Sequence, residues 1–213
     1  MKVSRDKIGT VQEALCGQVA LGLAFYYCAQ ALHRAFSQNP PMKFSFFFRI
    51  VYSASVREAV LALARITKEH GDSETIYHFF NLVENNPRLL SPDDTRTVKQ
   101  SVKTHRELLA NYEPLIESVC EQRDRVLAHF DKKHVNDPSS LFEHPQGVDL
   151  TELGDCLQEV LAILKYWGAE YFDRDFVLSH FQSAIDGDMD ILLNMIDKHG
   201  GHSAWIRSPQ FEE

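Results

Sequence analysis

Residues 123–134 hold the side chains of this chain that are best suited to chemistry. They read Arg-Asp-Arg-Val-Leu-Ala-His-Phe-Asp-Lys-Lys-His, so an arginine, a carboxylate and a histidine fall within two turns of a predicted helix. A guanidinium can hold a phosphate and stabilise charge on it, and an imidazole can transfer a proton near neutral pH. The segment therefore indicates chemistry on a phosphate group.

The position of Arg123 on its helix is unusual. At about 100° per residue, Arg123 falls in the middle of an apolar stripe, where a guanidinium is costly unless it is paired or faces water. His129 lies about 120° round the helix from Arg123, so one ideal helix does not direct both side chains into one cleft. Either the helix is distorted, or a second copy of the chain completes the site across a two-fold interface. The stripe consists of Ile116, Val119, Cys120, Val126, Leu127 and Phe130.

The Arg-Asp-x4-His string at 123–129 resembles the Arg-x4-6-His signature of the HEPN superfamily (higher eukaryotes and prokaryotes nucleotide-binding). The wider string Arg-Asp-Arg-x-x-Ala-His-x-Asp is similar to the abortive-infection AbiU-type branch. In that branch an arginine like Arg65, here in Leu-Ala-Arg-Ile-Thr, commonly precedes the motif helix. The order of helices is also similar, and the resemblance covers roughly residues 10–173. It implies an all-α protein that dimerises through its motif helices.

Several members of the superfamily are metal-independent endoribonucleases of toxin–antitoxin or phage-defence systems, so the resemblance implies this activity as well. A ribose 2′-hydroxyl would attack the adjacent phosphate and leave a cyclic phosphate. His129 would be the general acid or base, and Arg123 would stabilise charge on the phosphoryl oxygens. Asp124 would orient one of these two side chains or polarise the nucleophile. The implied partners are a second copy of the chain, RNA or a nucleotide, and an antitoxin.

Four further cations are candidates for substrate binding. Arg65 lies on the preceding helix, and Arg125 neighbours His129 at i, i+4. Lys132 and Lys133 could attract phosphate, although they also suit the negative end of a helix dipole.

Two other interpretations stay open. Some superfamily members only bind nucleotides or proteins, so the alternative function is a non-catalytic helical module that binds nucleotide, RNA or a protein partner. In an unrelated helical protein, Arg123 would be a packing arginine paired with an acid such as Glu58, and His129 would be a surface histidine. Asp131 stands where one toxin subgroup continues His-x-Tyr, so regulation through that tyrosine does not carry over.

Composition and spacing exclude several classes of function. A formal charge of −8 argues against a broad nucleic-acid-binding surface, though not against a small cationic pocket. The four cysteines are too dispersed for a metal knuckle or a redox pair, and we expect buried thiols in a reducing compartment. His129 and His134, five residues apart, do not share a helical face, so no metal site is expected. Without a Gly-rich phosphate loop or a nucleophile elbow, no cofactor is expected.

Residues 14–32 carry no charge and reach the length of a membrane span. Gln18 and Gln30 interrupt the segment, and Asp6 and Glu13 precede it, which is wrong for a signal peptide. We therefore predict a core helix, no membrane partner and a cytoplasmic location.

The predicted fold is an all-α bundle of long antiparallel helices, since no segment alternates at period two for long enough to form a strand. Residues 1–175 would form one HEPN-like domain, and residues 176–213 a short helix and tail packed on it or trailing from it. Asp72 or Ser73 would cap the third helix, Ser91 would cap the fourth, and Pro114 would bend or split the fourth. The predicted helices span 10–36, 44–70, 73–84, 91–135, 150–173 and 189–199.

Overall fold

The computed structural model describes residues 3–38, 46–68, 74–128, 148–176 and 179–198. All regular structure within them is helical, which confirms the predicted all-α bundle. The α-helices are α1 (Arg5–Gln38), α2 (Phe46–Thr67), α3 (Ile76–Asn85), α4 (Thr95–Ala110), α5 (Glu113–Ala128), α6 (Leu150–Phe172) and α7 (Ser179–Lys198), and a 3-10 turn spans Pro87–Leu89.

Helix α1 lies at the centre of the bundle and contacts α2, α3, α6 and α7. Gly22 allows α2 to approach closely, because a Cβ added there would lie 2.9 Å from the Cβ of Ala62. The buried Gln12 side chain donates from Nε2 to the carbonyl of Leu164 on α6 at 2.8 Å, so its amide nitrogen is partnered inside the core. Helix α5 is held mainly through α2, and α4 through α3 and α6.

Two helix caps differ from the sequence-based expectation, whereas the split of the fourth helix near Pro114 agrees with it. Thr75, rather than Asp72 or Ser73, caps α3, and its Oγ1 accepts from the His78 N–H at 3.1 Å. Asp94, rather than Ser91, caps α4 by accepting from the Thr97 N–H at 3.0 Å. The predicted fourth helix is split between α4 and α5, with Pro114 in the first turn of α5, where its missing N–H leaves no helical bond unmade.

The last predicted helix was too short, because α7 begins at Ser179 rather than at 189. Gly187, flanked by Asp186 and Asp188, is a poor helix former, and this composition hid the first half of the helix. An ion pair between Asp186 and Arg34 joins α7 to α1. The predicted domain boundary at residue 175 stays a prediction.

The apolar composition of α1 fits a core helix. By length and composition alone, residues 5–35 could cross a membrane, but half of the most apolar window is already buried inside the protein. Of the cysteines, Cys16 and Cys156 are buried, Cys28 and Cys120 are half-buried, and all four are free thiols.

The junction of α4 and α6 is closed by a buried pair of rings. Trp167 Nε1 donates to His105 Nδ1 at 3.0 Å, and the rings meet edge to face. Burial lowers the pKa of His105, so this histidine is a neutral acceptor in the core.

Gly154 on α6 offers a test of this packing. A Cβ there would lie 2.2 Å from Cζ of the buried Tyr26, so we expect Gly154→Ala to lower the free energy of unfolding by about 1–3 kcal/mol. Gly17 on α1 is the matched control, because it has no atom within 4 Å of an added Cβ. Gly17→Ala should raise stability by about 1 kcal/mol through helix propensity. Urea denaturation measures the free energy of unfolding of both variants. An equal change in the two variants would contradict the contact between residue 154 and Tyr26.

Candidate functional site

Arg123 lies near the C-terminal end of α5 and is 8 % exposed. Ile116 and Val119, on the same face of the helix, are buried, and Cys120 is half-buried. The predicted apolar stripe is therefore confirmed for these members, with a guanidinium placed among them. The side chains of Val126 and Leu127, and all of Phe130, lie outside the described part of the chain.

The Asp124 carboxylate binds two cations at once. Arg123 donates to its Oδ1 from Nε at 3.2 Å and from Nη2 at 2.9 Å. Its other oxygen, Oδ2, accepts from the Lys68 ammonium at the end of α2. The carboxylate thus neutralises the nearly buried guanidinium and ties α5 to α2, while its own side chain stays about half exposed.

These contacts keep Asp124 ionised. The hydrogen bond from Lys68, followed by that from Arg123, lowers the pKa of Asp124 to about 2. A depressed carboxyl pKa stabilises the folded chain above the ordinary pKa near 4, and that contribution is lost as the pH falls toward about 2. At neutral pH, Asp124 is therefore an acceptor and cannot act as a general acid.

Two neighbours complete the contact between α2 and α5. The Thr67 hydroxyl donates to the Leu63 carbonyl at 2.8 Å and lies 4.0 Å from the Cys120 sulfur. Burial raises the pKa of the Cys120 thiol, so it stays protonated at neutral pH. Cys120 is consequently a neutral packing residue at this junction.

Arg65 is exposed on α2 and forms an ion pair with Glu58, with 3.8 Å between Nη2 and Oε2. The acid that pairs with Arg123 is its neighbour Asp124, so the packing alternative that paired Arg123 with Glu58 was wrong about the partner. The role of Arg65 in substrate binding stays a prediction.

The other predicted site residues are less fully described. Arg125 lies within α5, but its side chain is outside the description, and so are all atoms of His129, Lys132 and Lys133. His134, the second histidine weighed as a metal ligand, also lies outside it. Among the described residues, no group of three or more His, Cys, Asp or Glu side chains could hold a metal ion.

Lys68 is the site residue that the sequence-based analysis missed. It comes three residues after Arg65, in Arg-Ile-Thr-Lys, and reads there only as a cation in the last turn of a helix. Its contact with Asp124 joins positions 56 residues apart, and only the packing of α2 against α5 creates it. A cation at the end of the helix that packs on the motif helix was the available signal.

The comparisons with known proteins gave one result. The family model HEPN_AbiU2, described as AbiU2, matches residues 8–186 of this chain. The match confirms the resemblance that was inferred from the string at 123–129 and the order of helices. The searches of curated proteins and of solved structures found no match.

Replacing Lys68 tests how the carboxylate is held. In Lys68→Met, we expect the pKa of Asp124 to rise from about 2 toward its ordinary value, because the first of its two cationic partners is lost. Lys68→Arg should keep it low. Titration of the Asp124 carboxyl carbon by NMR measures both. Lys103→Met, which removes an exposed lysine of α4, is the control. A pKa unchanged in Lys68→Met would assign the whole effect to Arg123.

Proposed function

This chain belongs to the HEPN_AbiU2 family, and on that premise we propose that it is a cytoplasmic, metal-independent endoribonuclease of a bacterial phage-defence or toxin–antitoxin system. Its family makes it an abortive-infection protein of HEPN type. The observation that carries the catalytic part of the proposal is the nearly buried Arg123, held in place by the ionised carboxylate beside it.

The charges around Arg123 suit a phosphate. Lys68 and Arg123 supply two positive charges against one negative charge on Asp124, so the cluster is cationic within a chain of net charge −8. Because Arg123 lies among apolar side chains, its field is screened less than that of an exposed arginine. A guanidinium that is already oriented needs little reorganisation as charge builds on a phosphoryl oxygen.

The proposed reaction requires a proton donor, a proton acceptor and a centre of positive charge. The ribose 2′-oxygen loses its proton to a general base and bonds to phosphorus. The bond from phosphorus to the 5′-oxygen breaks, and the leaving oxygen takes a proton from a general acid. His129 performs one or both transfers, because the imidazole pKa lies near neutral pH. Asp124 acts on Arg123 as a positioning residue.

A two-fold dimer supplies the second half of the site in this proposal. Pairing the ends of two α5 helices would bring two Arg123–His129 sets together, so the acid and the base could come from different subunits. Arg65, Arg125, Lys132 and Lys133 are the proposed contacts to the RNA backbone. An antitoxin that covers this interface is the proposed inhibitor.

One observation favours a second function, that of a non-catalytic module binding nucleotide, RNA or a protein partner. Arg123 is nearly buried and already donates twice to Asp124, which is also how a structural arginine is satisfied. The two functions are distinguished by what happens to the RNA, because a nuclease yields cleaved products whereas a binding module leaves the RNA intact.

RNA cleavage in EDTA tests the catalytic proposal. The protein should yield cyclic phosphate ends, and Arg123→Ala should lower the rate by about 10²–10³-fold, as expected for the loss of a charge-stabilising donor. His129→Ala should lower it by about 10²–10⁴-fold. Arg88→Ala, in the exposed 3-10 turn, and His78→Ala, on the surface of α3, are matched controls that should cleave normally. Undiminished cleavage by an Arg123→Ala/His129→Ala double variant would refute the mechanism.

The size of the protein in solution tests the proposed pairing. Light scattering should give about twice the chain mass of 24.4 kDa. Mixing Arg123→Ala and His129→Ala subunits should restore part of the activity if the two residues act across the interface. A monomer at all concentrations that are active would contradict the shared site.

A further inference from the structure

An open groove on α4, separate from the α2–α5 junction, is not used by the proposed reaction. Its volume is about 550 Å³, and four of its eight lining residues are cations. These are Arg96, Lys99, Lys103 and Arg106, and the other lining residues are Glu84, Thr95, Gln100 and Val102. The groove is therefore a strongly basic surface on an acidic protein.

The four cations form one row along α4. Their spacing of three, four and three residues keeps them within an arc of about 80° on the helix surface. The row is about 15 Å long, at about 1.5 Å per residue. The apolar face of α4, with Val98, Val102 and Leu109, is buried against the bundle beside this row. A row of this length is longer than one phosphate group and can contact several successive phosphates.

Arg106 anchors one end of the groove. Its guanidinium lies 5.4 Å from the ring centre of the buried Phe80, donates from Nη2 to Asn81 Oδ1 at 2.7 Å, and forms a 3.6 Å ion pair with Glu84. These contacts hold the side chain between α3 and α4 before any ligand arrives. The groove thus offers one fixed guanidinium and three exposed cations.

Among the lining residues of the groove, cations outnumber acids. Glu84 is the one acid among the lining residues, and Glu107, the one acid within α4, lies 3.9 Å from Lys103. Hydrogen bonds from Thr97, and to a smaller extent the charge of Arg96, lower the pKa of the Asp94 carboxyl, which caps α4. Arg96 and Lys99 nevertheless form no ion pair with any residue in the described part of the chain. With four cations and one acid, the lining carries a formal charge of +3.

We propose that the α4 groove binds the phosphate backbone of a single nucleic-acid strand. The row of cations matches a line of phosphates in sign and in extent, and backbone contacts of this kind position a strand without reading its sequence. The groove has no exposed aromatic ring among its lining residues, so base stacking is not part of the contact. With the proposed nuclease, this surface would hold RNA beyond the cleaved bond, but binding here does not depend on cleavage.

Strand binding can be measured in a His129→Ala background, in which the proposed reaction is blocked. The probe is a fluorescent oligouridylate of about 12 nucleotides, followed by anisotropy at salt concentrations from about 0.05 to 0.2 M. Lys99→Gln/Lys103→Gln removes two exposed charges of the row. Lys7→Gln/Arg49→Gln removes two charges from α1 and α2 and is the matched control.

The groove variant should bind the strand several-fold more weakly at about 0.1 M salt. The slope of its plot of log affinity against log salt concentration should be smaller in magnitude by about 1.4, which is about 0.7 for each lost phosphate contact. The control should keep the affinity of the parent. A deoxyuridylate strand should compete nearly as well as RNA, because phosphate contacts do not sense the 2′-hydroxyl.

Three results would overturn the proposal. The first is that the groove variant and the parent bind the strand with equal affinity. The second is that uridine monophosphate competes as effectively as the strand. The third is that polyglutamate competes as effectively as the strand. The second would indicate a site for a single phosphate, and the third an acidic protein partner. None of them depends on the cleavage assay, so loss of this inference and loss of the proposed nuclease activity remain distinguishable.

Discussion

The Asp124 carboxylate accepts Arg123 on one oxygen and Lys68 on the other, and the geometry of the candidate site depends on this bridge. A guanidinium among apolar side chains needs a partner, because an isolated charge is costly away from water. Here the partner is itself exposed and carries a second cation from another helix. The interaction that makes the buried arginine tolerable therefore also sets where its charge lies.

The bridge requires that the ends of α2 and α5 lie together, and apolar packing is responsible for that. α1 passes through the core and supports α2, and α2 in turn supports α5. Gly22 matters here because it lets α1 and α2 approach closely. The protonated Cys120 thiol and the Thr67 hydroxyl fill the space next to the bridge without adding charge. A cationic cluster of defined geometry thus rests on a neutral, closely packed junction.

Net charge is a poor guide to where this protein could meet an anion. The chain carries −8, yet the α2–α5 junction and the α4 groove are both locally cationic. At physiological salt, exposed charges act over about 8 Å, so distant acids do not cancel a local row of lysines and arginines. The acidic total argues against sequence-blind binding over the whole surface, and it does not exclude anion binding at these two locally cationic surfaces.

Local pattern was enough to predict the all-α class, the described part of the stripe around Arg123 and the family, because helical periodicity and a short motif are encoded by neighbouring residues. It was not enough for the start of α7. Gly187 and its flanking aspartates are poor helix formers, and the ion pair that joins this segment to α1 cannot be read from the local sequence. Local pattern did not predict Lys68 as the second partner of Asp124. Asp124 is the immediate neighbour of Arg123, so that contact is local. The contact with Lys68 depends on which helix ends meet, and only the packing of the bundle decides that.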